Sequence, residues 1–129
     1  MIQDDCATIG EYGCNLFSFY YCLGLDISEV LKDFRTLIKS KFILADCTII
    51  DYDGLAKYKG KSVDVIWTNP KNYIKDVPYI GRFERINAKG EKIHHFVAMK
   101  NEEIIFNSLD KSRCVNEGKL VDIRRITWL

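Results

Sequence analysis

The sequence predicts an α+β fold in which N-terminal helices pack on a C-terminal antiparallel β-sheet. Before about residue 60, apolar residues recur at helical spacing. After about residue 62, short β-rich runs alternate with turn residues. No internal repeat or low-complexity linker divides the 129 residues, so we expect a single domain over residues 1–129.

The N-terminal half contains three predicted helices. The segment "GCNLFSFYYCLGL" is apolar on nearly every side, which predicts a central buried helix that starts at Cys14 and stops near Gly24. The segment "DISEVLKDFRTLIKSKFIL" has the pattern of an amphipathic helix, with Ser28 as the candidate cap. The stretch "DYDGLAKYKG" predicts a short third helix that begins with an aspartate.

The C-terminal half contains the predicted strands. Four of them are "SVDVIWT", "YIGRFERIN", "IHHFVAM" and "EIIFNSL", and the turns "AKGEK" and "KNEE" join the last three as hairpins. The last segment, "KLVDIRRITWL", alternates in the same way, and we expect it to be an outer strand that is able to pair with another copy.

Charge and composition exclude several classes of function. Nineteen basic and eighteen acidic residues leave a formal charge of +1, so nothing indicates binding to nucleic acid or to an anionic membrane. The start, "MIQDDCATIGEYG", lacks the features of a signal peptide, and no apolar stretch is long enough to span a bilayer. We therefore expect a cytoplasmic protein whose thiols stay reduced.

The five cysteines fit neither a disulfide framework nor a structural zinc site. Their number is odd, and no two of them are two to four residues apart, as zinc knuckles require. We expect no metal and no cofactor. The cysteines are Cys6, Cys14, Cys22, Cys47 and Cys114.

Cys14 is the cysteine whose position indicates chemistry. At a helix N-terminus, exposed N–H groups and the helix dipole favour the thiolate, which is the nucleophilic form. Gly13 leaves room for a substrate backbone. The alternative interpretation is a small buried hydrophobe, the usual environment of a free cysteine. Cys22, two turns further along, is expected in the core, and Cys6 is expected in a loop.

The chain contains only two histidines, His94 and His95, and they are adjacent. Neighbouring side chains on a strand point to opposite faces, so at most one of them can meet Cys14. The hairpin turn "KNEE" brings Asn107 back across from the histidines, where its amide can fix the tautomer of an imidazole. Asp110 is an alternative orienting group. The competing interpretation is a pair of surface histidines in an exposed hairpin.

Read together, the order Cys, His, Asn on a helix, a strand and the next strand resembles the papain-like cysteine peptidase superfamily. "HHFVAMKNEEIIFNSLD" resembles the His-strand, turn and Asp/Asn-strand segment of the bacteriocin-processing peptidases. "YGCNLFSFYY" is similar to the helix start of small bacterial and phage proteins of that group, some of them domains of unknown function. The resemblance covers the first 24 residues and roughly residues 93–115.

The resemblance implies a papain-like fold and assigns roles to individual residues. Cys14 is the nucleophile, and His95 is the base because it directly precedes the hydrophobic run "FVA", with His94 as the alternative. Asn107 is the orienting residue, where many relatives have Asp. Gln3 is the candidate side-chain oxyanion donor, although it lies eleven residues before Cys14 and its loop must fold back.

The implied function is a cysteine peptidase or amidase that cleaves an amide bond in a peptide or a peptidoglycan-like substrate. Acyl transfer and deamidation would use the same residues. The alternative is a catalytically inactive papain-like fold that serves as a phage- or plasmid-type binding or regulatory module. The cleft walls are expected from about residues 45 to 92, and Trp67 and Trp128 are interpreted as core or sheet aromatics.

Overall fold

The computed structural model describes residues 13–108 and 118–129. Within these ranges the order of elements is three helices followed by five strands, which confirms the predicted α+β class. The helices are α1 (Cys14–Cys22), α2 (Glu29–Lys39) and α3 (Tyr52–Tyr58). The strands are β1 (Val63–Thr68), β2 (Tyr79–Ile86), β3 (Lys92–Lys100), β4 (Glu103–Phe106) and β5 (Lys119–Trp128).

The five strands form one antiparallel sheet in the order β1-β5-β2-β3-β4. Both predicted hairpins are present. Gly90 has a φ of 80° in the turn between β2 and β3, and Asn101 and Glu102 have φ values of 51° and 70° between β3 and β4. Because tight turns often need positive φ, these residues close the hairpins that bring β4 beside β3.

The prediction that the last strand is an outer strand is wrong. β5 lies between β1 and β2 and pairs with both. Its residues Ile123 and Ile126 are fully buried, and each belongs to a different apolar cluster, one on each face of the sheet. Alternation along a strand reports which side chains are buried, but it carries no information on the neighbours that the backbone pairs with.

Helix α1 is the centre of the larger apolar core. Leu16, Phe19 and Tyr20 are fully buried, and the helix contacts β2, β3 and α2. It ends in a Schellman motif, because Gly24 N donates to Tyr21 O and Leu25 N donates to Tyr20 O, each at 3.0 Å. The φ of 76° at Gly24 explains why this glycine stops the helix.

Two apolar clusters lie on opposite faces of the sheet. The larger one fills the space between the helices and the first face, and the smaller one covers the second face around Tyr79, Val97 and Met99. Helix α3 packs near β1 at the far edge from β4. Among the described residues no helix is long and apolar enough to cross a bilayer; α2, the longest, has 11 residues.

The N-terminal cap of α3 leaves no room for a side chain at Gly54. The Asp51 carboxylate caps this helix by accepting a hydrogen bond from Gly54 N at 2.9 Å. A Cβ at Gly54 would collide with that carboxylate and would lie 2.9 Å from Phe42 Cε1. We expect Gly54→Ala to lower the free energy of unfolding by about 1–2 kcal/mol, although alanine favours helices.

Urea denaturation measures this change. The control is Lys57→Ala on the exposed side of the same helix, which is expected to change stability by less than about 0.5 kcal/mol. A stabilised Gly54→Ala variant would show that the Asp51 cap tolerates the added methyl group.

Candidate functional site

Cys14 is the first residue of α1, as predicted, and its side chain is partly exposed. The next turn of the helix joins it to the sheet. Ser18 Oγ lies 2.7 Å from the carbonyl oxygen of Cys14 and 3.3 Å from the carbonyl oxygen of Phe96 on β3. The start of α1 is therefore held beside β3 at the residue that follows His95.

His95 and Asn107 are brought together. The imidazole of His95 is 4% exposed, and its Nε2 lies 2.6 Å from Asn107 Oδ1. Since an amide oxygen only accepts hydrogen bonds, Nε2 carries the hydrogen and Nδ1 is the basic nitrogen. β4 ends at Phe106, so Asn107 follows this strand directly and does not lie within it, contrary to the prediction.

The two histidines have different surroundings, as the alternation of side chains on a strand requires. His94 is partly exposed, and its Nε2 lies 3.0 Å from Oε1 of Glu84, the residue opposite it on β2. By the same alternation His94 shares a face with Phe96, whereas His95 shares a face with Val97.

A cavity of about 380 Å³ opens next to Cys14. The helix contributes Cys14 and Asn15, the loop before α3 contributes residues 46–49, and the sheet contributes Trp67, His94, Phe96 and Arg124. Among the described residues that line the cavity, the histidine is His94. Loop 46–49 and Trp67 belong to the segment 45–92, from which the cleft walls were expected.

A second polar pair lines the cavity beside the thiol. Asn15 Nδ2 donates to the hydroxyl oxygen of Tyr52 at 2.7 Å, and the Tyr52 ring meets Phe19 edge-on at 5.1 Å. Because the Tyr52 oxygen accepts from Asn15, the phenolic hydrogen remains available to donate to another group. The Asn15 side chain is largely buried, and its Oδ1 has no hydrogen-bond partner among the described residues.

Trp67 and Arg124 are cavity residues that the sequence analysis did not select. The Trp67 side chain is 62% exposed, and the Arg124 guanidinium lies 3.7 Å from the centre of its ring. A signal for Arg124 was present, because alternation along the last strand places this charged residue on the same face as the apolar Ile126. Trp67 lies on strand β1, which agrees with its interpretation as a sheet aromatic, but its side chain is mostly exposed to solvent.

A family model described as a protein of unknown function, DUF261, matches residues 2–127. The chain belongs to the DUF261 family. The DUF261 match contains the helix that starts at Cys14 and the strands that carry His95 and Asn107. No curated protein and no solved structure matches the chain.

The other described thiols of this DUF261 chain are poor nucleophiles. Cys22 is 3% exposed, and burial raises the pKa of its thiol far above its ordinary value, which confirms the predicted place in the core. Burial, and then the nearby Asp46 carboxylate and Cys14, raise the pKa of Cys47 to about 11. Both thiols are therefore protonated at neutral pH.

Several predicted residues of the DUF261 chain lie outside the described residues. They are Gln3, Cys6, Asp110 and Cys114. Within residues 13–108 and 118–129, no group of three or more His, Cys, Asp or Glu side chains is arranged to hold a metal ion.

Proposed function

We propose that this DUF261 protein is a papain-like thiol hydrolase that cleaves an amide bond in a peptide or peptidoglycan-like substrate. The observation that carries the proposal is the cavity that Cys14 and His94 both line, with His94 Nε2 held 3.0 Å from Glu84 Oε1. The Glu84 carboxylate orients the imidazole, which is what a general base next to a nucleophile requires. Cys14 supports the proposal by its position at the start of α1, beside the strand that carries His94.

In this mechanism His94 takes the proton of Cys14, and the thiolate attacks the carbonyl carbon of the amide. A tetrahedral intermediate forms, and the His94 imidazolium then protonates the leaving amine. Water, deprotonated by His94, hydrolyses the thioester and releases the acid and the free thiol. Glu84 keeps the imidazole oriented through both halves of the reaction.

The tetrahedral oxyanion needs hydrogen-bond donors next to Cys14. Among the described residues, the Tyr52 hydroxyl is such a donor, since it lines the cavity and Asn15 occupies only its oxygen. We assign this role to Tyr52 together with the first turn of α1, where backbone N–H groups lack helical partners. Gln3 stays a prediction for a further donor.

His95, the base that the sequence predicts, is the second candidate. Its Nε2 lies 2.6 Å from Asn107 Oδ1, so this imidazole also has an orienting partner. It shares a face of the sheet with Val97 of the smaller apolar cluster, however, whereas Cys14 lines the cavity on the face of the helices. Substitution of the two histidines separately decides between them.

The pH dependence of iodoacetamide labelling tests the proposal. Cys6 and Cys114 are replaced by serine, so that the described thiols are the remaining ones. We expect one fast site with an apparent pKa well below the ordinary value of about 8.5, because an ion pair and a helix N-terminus both favour the thiolate. Cys14→Ala abolishes this site.

Cys47→Ser is the matched control, because Cys47 lines the same cavity and is protonated at neutral pH. It is expected to leave the fast site unchanged. Release of free amines from a pool of amide-linked peptides then measures turnover, with Cys14→Ala as the blank. Labelling of Cys14 only after denaturation, or with an ordinary thiol pKa, supports the alternative of a binding or regulatory module without catalysis.

A further inference from the structure

Arg124 is a buried cation in the wall of the cavity that contains Cys14. Its side chain is 3% exposed. The guanidinium lies 3.7 Å from the centre of the Trp67 ring and 5.0 Å from that of the Phe96 ring. These aromatic faces stabilise the charge and fix the plane of the guanidinium. The group is therefore preorganised at the cavity.

Arg124 belongs to a cluster of three charged side chains with a net positive charge. Arg124 Nη1 donates to Asp122 Oδ1 at 2.6 Å, and the same carboxylate accepts from Arg82 Nε at 3.0 Å. Within this cluster one carboxylate thus serves two guanidinium groups, which leaves one net positive charge. The cavity lining also includes an anionic group, because hydrogen bonds from Thr48 lower the pKa of Asp46.

The hydrogen-bonding capacity of Arg124 is not used up. Among the described residues, the Arg124 guanidinium makes one hydrogen bond, from Nη1 to Asp122. Its Nε is buried and has no acceptor among these residues. A buried cation with a single bonded carboxylate costs free energy, and an anionic ligand that accepted from the remaining Nη hydrogens would offset part of that cost. The planar fork of an arginine matches a carboxylate better than a neutral carbonyl group.

We infer that Arg124 binds a carboxylate of the ligand, with the exposed ring of Trp67 as the apolar surface beside it. The cavity then selects amides that carry a carboxylate group near the bond presented to Cys14. That this ligand is a substrate rests on the proposed function. The binding of the carboxylate is independent of catalysis, because it needs only the cavity that Cys14 and Arg124 share.

Alkylation of Cys14 by matched reagents tests the inference. The probes are N-iodoacetyl derivatives of glycine, β-alanine and γ-aminobutyrate, each compared with its own terminal amide, so that only the charge differs. At about pH 9.5 an ordinary thiol is ionised, so the comparison remains valid if Cys14 proves to have no catalytic role. The background again lacks Cys6 and Cys114.

We expect the acid to react faster than its amide at one of the three spacings, with saturation kinetics. Arg124→Gln is expected to lower this ratio about tenfold, the loss of one charge-assisted hydrogen-bonded pair. Arg124→Lys retains part of the preference, because the charge remains without the fork. Raising the salt concentration from about 0.05 M to about 0.5 M lowers the ratio in the unmodified chain.

The matched control is Arg125→Gln, which removes an equal charge one residue away on the opposite face of β5. It should leave the ratio unchanged. An unmodified chain in which every amide reacts faster than its acid would overturn the inference without any variant. An equal loss of preference in Arg125→Gln would show that the preference comes from the net charge of the protein and that Arg124 forms no specific site.

Discussion

Replacing His94 by alanine is expected to slow the iodoacetamide labelling of Cys14 at about pH 6 by about 10²-fold, because a thiol with an ordinary pKa is ionised to well under one percent there. The His94 imidazole lines the cavity with Cys14 and is oriented by Glu84. Stopped-flow or mass-spectrometric labelling rates measure the change, and circular dichroism at the same pH verifies the fold.

His95→Ala is the matched control, since it removes an imidazole from the neighbouring position of the same strand. We expect it to leave the labelling rate within about threefold of the starting chain. The opposite result, a large loss in His95→Ala and none in His94→Ala, would assign the base to His95 and the orienting role to Asn107. Equal rates in both variants would show that neither histidine forms an ion pair with Cys14, which would contradict the proposed mechanism.

The second large effect concerns stability. Asp33 accepts hydrogen bonds from the Tyr20 hydroxyl at 2.8 Å and from Lys59 Nζ at 2.7 Å, and its side chain is 5% exposed. Tyr20 is fully buried. Burial, and then its bond to Asp33, raise the pKa of the Tyr20 hydroxyl far above its ordinary value. Asp33 thus joins α2 to α1 and to the end of α3.

We expect Asp33→Ala to lower the free energy of unfolding by about 2–4 kcal/mol, because it leaves the buried Tyr20 hydroxyl without its acceptor and the mostly buried Lys59 ammonium group with only the partly exposed Glu29 as its partner. Urea denaturation measures the loss. The control is Glu29→Ala, since Glu29 also binds Lys59, at 2.6 Å, but is 31% exposed. Its expected cost is below about 1 kcal/mol. Equal losses in the two variants would show that the buried Asp33 carboxylate contributes no more to stability than the more exposed Glu29 carboxylate.

Local patterns predicted the elements from which the candidate site is built. The apolar run after Gly13 predicted the helix that places Cys14 in its first turn. The turn residues between β3 and β4 predicted the hairpin, and the hairpin brings Asn107 to His95. These features depend on residues close together in the chain, where helix and turn preferences act directly.

Features that depend on distant parts of the chain were not predicted. β5 was expected at an edge and lies inside the sheet, because pairing with β1 and β2 is decided by packing across the whole domain. The place of Arg124 in the cavity follows from that position of β5, since it brings the guanidinium over Trp67 of β1. No pattern in the sequence around Arg124 or around Trp67 predicts that these two side chains are in contact.

The sequence by itself determined the α+β class, the helix start at Cys14 and the two-faced placement of His94 and His95, since all three follow from the periods of helices and strands. Only the tertiary structure decided that His94 enters the cavity, that His95 is buried against Asn107, and that Arg124 supplies a positive charge. The physical reason is that periodicity specifies the face on which a side chain lies, whereas strand order and the packing of α1 specify what that face meets.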